Sequence, residues 1–327
     1  GLKPLLFVAQ LAFGRLFEKQ RGVVLHVIPC WPSYIEQVRL GRVRSAGIHP
    51  QDTTTYKLSP ADMDRAIRAL RAKNDGRTPP HLLILNSPCN PTGAVYSADE
   101  LCELAQCFRT HGTWVLSDEI YRQLAFAFEG PAPSIADFYD RCVQGASLSK
   151  LLGAGGWRFG WLRFQPPLAA LFEACRAFAG PIYTCPTPAL EAAAVLLLER
   201  PEAVTRHMRL QRRVFSAAAD CVRAGLAGSR LRHTPMQGGW YTVLNFSSYA
   251  PALFRHAKKI EGSVALAAAL LEEAQIVMVP GSACGLEAGH LALRYSFIDL
   301  VLDAHKEPDL RQIEGLCAAL CAWLAAL

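Results

Sequence analysis

Gln144-Gly-Ala-Ser147-Leu-Ser149-Lys150-Leu-Leu-Gly153-Ala-Gly155-Gly156-Trp-Arg158-Phe-Gly160-Trp161 places one lysine at the end of an apolar strand-like run, followed by a glycine-rich loop and an arginine eight residues on. That order fits a lysine whose amine condenses with an aldehyde beside a pocket for an anion. Condensation needs the amine partly desolvated or set beside another cation, because a hydrated ammonium is no nucleophile. Arg158 and the hydroxyls of Ser147 and Ser149 supply donors for the anion. A solvated turn lysine beside glycines has the same local sequence, so the segment gains its meaning from what flanks it.

Outward from this stretch, apolar runs alternate with helical patterns. Val23 to Ile28, His81 to Leu85, Thr113 to Ser117, Cys142 to Ala146 and Arg158 to Phe164 read as strands, separated by helical stretches such as Ala61 to Ala72 and Ser97 to His111. Such alternation predicts an α/β fold, a mostly parallel sheet with helices on both faces. Ser97-Ala-Asp-Glu100 is a capping box, a hydroxyl N-cap with a glutamate three residues later. Pro91-Thr92-Gly93 before it is then a loop at the carboxyl end of a strand, where open α/β sheets bind ligands. After Pro186 come long helices, Ala189 to Glu199 and Glu202 to Ala224. Shorter strands follow at Trp240 to Phe246, Ile276 to Val279 and His290 to Phe297, and a last helix runs from Asp309 to Leu327. The boundary falls near residue 205, giving a large domain over 1–205 and a smaller α+β domain over 206–327.

Composition narrows the class. The 327 residues are 51% hydrophobic and 19% charged, which excludes a disordered chain. The 34 Lys+Arg against 28 Asp+Glu are spread without a basic run, which argues against a nucleic-acid partner. Eleven cysteines without a Cys-x-x-Cys pair in a long chain read as reduced thiols of a cytoplasmic protein. Cys317 and Cys321 lie one helical turn apart and read as core-facing positions. With no His-x-x-x-His spacing, no metal site is expected. No apolar run is long enough to span a bilayer, and the opening residues lack a signal-peptide pattern.

Four further segments carry chemistry. A pyridoxal phosphate site needs a carboxylate for its ring nitrogen, donors for its phenolic oxygen, and hydroxyls, an arginine and backbone N–H groups for its phosphate. Ser117-Asp118-Glu119-Ile120-Tyr121 puts Asp118 at a strand end, where it fits either that carboxylate or a helix N-cap. Asn90, held extended before Pro91, has an amide free to donate, and the same residues also make a simple Asn-Pro turn. Trp31 suits ring stacking or core packing. Arg294, in an apolar strand, calls for an anionic partner such as a substrate carboxylate.

Together the segments resemble the class I/II aminotransferases of the aspartate aminotransferase superfamily, the fold-type-I group of pyridoxal phosphate enzymes. The resemblance spans essentially the whole chain. It rests on Pro-x-Trp-x-x-Tyr at 29–34, Asn-Pro-Thr-Gly at 90–93 and Ser-Asp-Glu-Ile-Tyr at 117–121. It also rests on Ser-x-Ser-Lys with Gly-Trp-Arg-x-Gly at 147–160, Pro-Gly-Ser-Ala-x-Gly at 280–285 and Leu-Arg-Tyr-Ser at 293–296. It implies that Lys150 forms the Schiff base and shuttles the substrate Cα proton, that Asp118 pairs with the pyridinium, and that Asn90 and Tyr121 bond the phenolic oxygen. Trp31 would stack on the ring. Ser147, Ser149, Arg158 and the backbone of Leu2 and Lys3 at a helix N-terminus would bind phosphate. Asn90 and Arg294 would meet the substrate, Arg294 through its α-carboxylate. A homodimer acting on an amino acid and a 2-oxo acid is implied as well.

Two departures and two rivals complete the reading. The chain opens inside the family's Gly-x-Lys turn, so the N-terminal arm that covers the site in relatives is expected to be absent and turnover to be poor. Thr187-Pro188 stands where relatives often carry glutamine, and Gly153-Ala-Gly155-Gly156-Trp-Arg158 fails the dinucleotide pattern at its last position. A carbon–sulfur β-lyase on the same scaffold is the enzymatic rival. A degenerate ligand-sensing domain is the other, and it would be marked by loss of Lys150 or Asp118.

Overall fold

The computed structural model describes residues 1–298, 300 and 305–327. The first part of the chain runs α1 (Leu2–Leu16), β1 (Val23–Val27), α2 (Pro32–Leu40), β2 (Ser45–Ile48), α3 (Pro60–Ala72), β3 (His81–Asn86), α4 (Ala98–His111) and β4 (Trp114–Asp118). It continues through β5 (Cys142–Ser147), α5 (Leu148–Leu151), β6 (Gly160–Phe164), α6 (Ala169–Tyr183) and α7 (Pro188–Leu198). Its sheet has the order β2-β1-β3-β4-β5-β6, parallel from β2 to β5 with β6 antiparallel at one edge.

Successive residues of these strands go to opposite cores. Val24, Leu82, Ile84, Leu116 and Val143 pack with residues of α1, α2 and α6. Val23, Leu25, Leu83, Leu85, Val115 and Cys142 pack with α3 and α4 on the other face. Burial on both faces is why the strands read as unbroken apolar runs. α3 and α4 each start at a capping box, Ser59 with Asp62 and Ser97 with Glu100.

Four strands differ from the sequence pattern, one of them the two-residue Arg232–His233 strand, which has no apolar run to mark it. The run expected from Arg158 begins at Gly160 and returns antiparallel, because its connection from β5 holds only the four-residue α5 and a glycine loop. β2 was not read at all; it is a half-exposed edge strand with no apolar run. The strand expected over Ile276 to Val279 shrinks to β9 (Val279–Pro280), where only Val279 and Pro280 pair with β10 (Ala292–Ser296).

The remaining elements are α8 (Pro201–Leu226), β7 (Arg232–His233), β8 (Tyr241–Asn245), α9 (Ala250–Arg255), α10 (Ser263–Ala274), β9, β10 (Ala292–Ser296) and α11 (Arg311–Ala325). The antiparallel sheet β7-β8-β10-β9 shares a core with α8, α10 and α11, built around residues such as Phe215, Leu244, Leu270, Leu293 and Leu320. α8 is largely exposed up to His207 and begins to bury at Met208.

Candidate active site

β1, β3, β4 and β5 all point their carboxyl ends at one cavity of about 280 Å3. Its wall includes Leu2, Lys3, Trp31, Tyr34, Asn86, Asn90, Asp118, Tyr121, Ser149, Lys150, Arg158 and Tyr241. Nine of the eleven candidates named from sequence are therefore brought together; Ser147 and Arg294 stand outside the wall.

Asp118 ends β4 and is buried at the cavity floor. Its Oδ2 accepts from the Tyr34 hydroxyl at 2.5 Å and its Oδ1 from the Ile120 N–H at 3.1 Å. Burial pushes the carboxyl up to about 6, against the two hydrogen bonds, which pull it down. The Tyr34 hydroxyl is driven well above its ordinary range by burial and by the Asp118 charge, so it stays a donor. Trp31 N-caps α2 with Pro32 next, and Tyr34 follows one turn later. The two rings meet edge to face at 5.3 Å and 89°. Tyr34 was part of a motif read from sequence but had no role assigned; its signal is the one-turn spacing from Trp31.

Asn90 is fixed from two sides. Its N–H donates to Asn86 Oδ1 at 2.8 Å, and Asn86 Nδ2 donates to the Asp118 carbonyl at 2.8 Å, tying the ends of β3 and β4 together. Its Oδ1 accepts from Arg294 Nη1 at 3.2 Å. A guanidinium only donates, so this contact sets the amide orientation and leaves Nδ2 as the donor. Arg294 lies over the Tyr241 ring at 4.9 Å, and its buried Nε has no partner among the described residues.

Lys150 sits on α5 with Nζ 4.8 Å from the centre of the Trp240 ring. Ser147, the residue before α5, is buried and its Oγ accepts the Ser149 N–H at 2.9 Å. The Ser147 O–H keeps its proton to donate, but the residue stands outside the cavity wall and lines a separate depression with Gln144 and Arg163. Arg158 adopts a left-handed conformation, φ 53°, with Nη1 on the Gly155 carbonyl at 2.6 Å. Gly160 lets α1 come close: a Cβ there would lie 2.8 Å from the Leu2 nitrogen and 3.0 Å from the Ala146 oxygen. Leu2 and Lys3 reach the cavity because that space is empty. Tyr121 is buried, with its hydroxyl 3.4 Å from that of Tyr241, and burial pushes the pKa of this hydroxyl well above its ordinary range. Tyr241 and Trp240 fall in the strand expected over Trp240 to Phe246, but nothing in their local pattern marks them as site residues.

A family model described as aminotransferase class I and II matches residues 8–299. The aspartate aminotransferase of Streptomyces avermitilis is 28% identical over 296 residues, 88% of this chain and 67% of that protein. The aspartate aminotransferase of Rhizobium meliloti is 27% identical over 325 residues, 98% of this chain and 73% of that protein. The crystal structure of the aromatic aminotransferase from Pyrococcus horikoshii OT3 superposes with a TM-score of 0.81 at 22% identity, covering 100% of this chain and 78% of that one, a likeness of fold.

Proposed function

The chain belongs to the class I and II aminotransferases, and we propose that it binds pyridoxal 5'-phosphate in the cavity around Lys150 and Asp118 to move an α-amino group from an amino acid to a 2-oxo acid. One observation carries the cofactor reading. A buried carboxylate, Asp118, faces the same cavity as Lys150 and Arg158, and its hydrogen bonds come from neutral donors, Tyr34 and Ile120. A buried carboxylate without a cation is costly, and a protonated ring nitrogen supplies that cation. The donor set therefore fits the cofactor.

When bound, pyridoxal phosphate supplies an electron sink for the charge that develops at the substrate Cα. Lys150 Nζ would anchor it and then take and return the Cα proton as general base and acid. Asp118 would keep the ring nitrogen protonated, with Tyr34 holding the carboxylate in place. Trp31 would cover the ring, and Asn90 and Tyr121 would donate to the phenolic oxygen. Arg158, Ser149 and the N–H groups of Leu2 and Lys3 would hold the phosphate. Arg294 would receive the substrate carboxylate, which gives its unpaired Nε an acceptor. Ser147 is left out, since it stands outside this cavity's wall.

Amino transfer, and not β-elimination, is the reaction of the family and of both relatives, and the presence of Lys150 and Asp118 in one cavity speaks against a sensing domain. Aspartate is the first donor to assay because both relatives are aspartate aminotransferases. A homodimer is supported by the apolar face that α7 and α6 leave exposed, with Val195, Leu196, Leu198 and Ile182. No described helix is long and apolar enough to cross a membrane. We place the enzyme in the cytoplasm, in keeping with eleven free cysteines. The test is borohydride reduction of the yellow protein followed by peptide mapping. The pyridoxyl label belongs on Lys150, and a label on any other lysine refutes the assignment.

A further inference from the structure

Cys107 and His111 lie one turn apart on α4, and Asp64 faces them from α3. His111 Nε2 is 2.6 Å from Asp64 Oδ1, and Cys107 Sγ is 4.0 Å from the same oxygen. All three ligating atoms fall within 4.8 Å of one another, the one such group of histidine, cysteine and carboxylate side chains among the described residues. The i, i+4 spacing sets both α4 side chains on one helix face, and packing of α3 on α4 brings the carboxylate to them.

We propose that Asp64, Cys107 and His111 form a three-ligand site for a divalent cation of the zinc class, with water in the fourth position. One thiolate, one imidazole and one carboxylate suit borderline-soft Zn2+; Mg2+ and Ca2+ take oxygen shells. With metal–nitrogen and metal–oxygen bonds of about 2.0 Å and a metal–sulfur bond of about 2.3 Å, tetrahedral angles place nitrogen and oxygen about 3.3 Å apart and sulfur about 3.5 Å from each. The observed 2.6 Å and 4.0 Å separations therefore need shifts of only about 0.7 Å and about 0.5 Å. His111 binds as a neutral imidazole through Nε2, and Cys107 releases its thiol proton to solvent as the metal–sulfur bond forms. The Asp64 side chain is 47% exposed, which leaves a path for the cation and room for the water.

His111 ends α4 just before β4, so the site lies at the amino-terminal edge of the sheet. The catalytic cavity is at the other end of β4, roughly 15 Å away at the usual rise per strand residue. The cation is thus a clamp between two helices and touches no reacting group. A search of the sequence for paired histidines passes over this site, because one member of its helical pair is a cysteine.

The experiment uses the cofactor-bound enzyme, stripped by a chelator and titrated with ZnCl2. It should take up one equivalent and gain about 5 °C in Tm once free Zn2+ is about 100-fold above Kd, with no gain from Mg2+. Cys107→Ser and His111→Gln should each lose that gain, while Cys102→Ser, an exposed thiol on the same helix, should keep it. Zinc-edge absorption should find a single sulfur near 2.3 Å in the first shell, a distance of about the usual zinc–thiolate length. Equal gains in wild type and both variants, or a shell with no sulfur or with several, overturns the proposal. If a variant fails to fold, the sulfur count in wild type decides.

Discussion

Replacing Asp118 with asparagine should stabilise the cofactor-free protein and cripple the enzyme. Burial lifts this carboxyl from 3.8 to about 6. A carboxyl whose folded value exceeds its unfolded value helps folding only while protonated. Its contribution is complete below the unfolded value and is lost as pH rises through about 6. Above that pH the ionised carboxylate costs about 3 kcal/mol, from a shift of roughly 2 units at about 1.4 kcal/mol each. Asparagine keeps the shape and carries no charge, and with Oδ1 toward the Tyr34 hydroxyl it turns Nδ2 toward the Ile120 N–H, so one of the two hydrogen bonds is lost. With about 1 kcal/mol for the lost hydrogen bond, Asp118→Asn should therefore raise the unfolding free energy of the apoprotein by about 2 kcal/mol at pH 8 and leave it about unchanged at pH 4.5. Urea unfolding at both pH values reads the difference as a shift in midpoint at constant slope. Turnover should fall by about 10²–10³, the usual scale for removing one key electrostatic partner. A variant no more stable than wild type at pH 8, or equally stabilised at both pH values, would show that the carboxylate is not an uncompensated buried charge.

Other substitutions separate binding from architecture. Ser147→Ala should cost about 1 kcal/mol of stability by removing a cap while leaving cofactor affinity unchanged, whereas Ser149→Ala should weaken cofactor binding about 10-fold; equilibrium dialysis beside thermal melts distinguishes the two, and reversed phenotypes sink the assignment. Arg294→Lys should raise KM for the amino acid about 10–100-fold, since a point charge cannot replace a two-pronged guanidinium, with cofactor retention unaltered. Parallel losses in both would make Arg294 structural. Gly160→Ala puts a methyl against the backbone of Leu2 and Ala146, so it should cost about 1–3 kcal/mol and loosen the cofactor as α1 is pushed back. Unchanged cofactor affinity would place the phosphate elsewhere.

What was legible in the sequence is what each residue carries by itself. The strands of the large sheet announce themselves because both faces are buried, as Leu82 to Leu85 are, whereas half-exposed β2 leaves no such mark. Lys150, Asp118 and Arg158 are marked by their own chemistry at strand ends. Tyr34 is not: its hydroxyl matters because α2 packs across the sheet and delivers it to a carboxylate 84 positions later. Ser147 and Ser149 look alike in the chain, and only the start of α5 decides which hydroxyl accepts a backbone N–H and which faces the cavity.

Gly93 shows how one motif serves two ends. Its φ is +69°, and a Cβ there would lie 2.6 Å from the Tyr241 carbonyl oxygen, so both conformation and space demand glycine. Its own carbonyl accepts the N–H groups of Gln237 and Gly238 at 2.8 Å and 3.1 Å. The loop that presents Asn90 to the cavity is therefore also the seat of the second sheet. Seating β8 there puts Tyr241 in the cavity wall, and β10 beside it carries Arg294 to within 3.2 Å of the Asn90 oxygen. From the sequence, Asn90-Pro91-Thr92-Gly93 reads as a turn with a useful amide. In the fold it is the joint that sets the proposed carboxylate-binding arginine next to the proposed cofactor-binding asparagine, 204 positions apart in the chain.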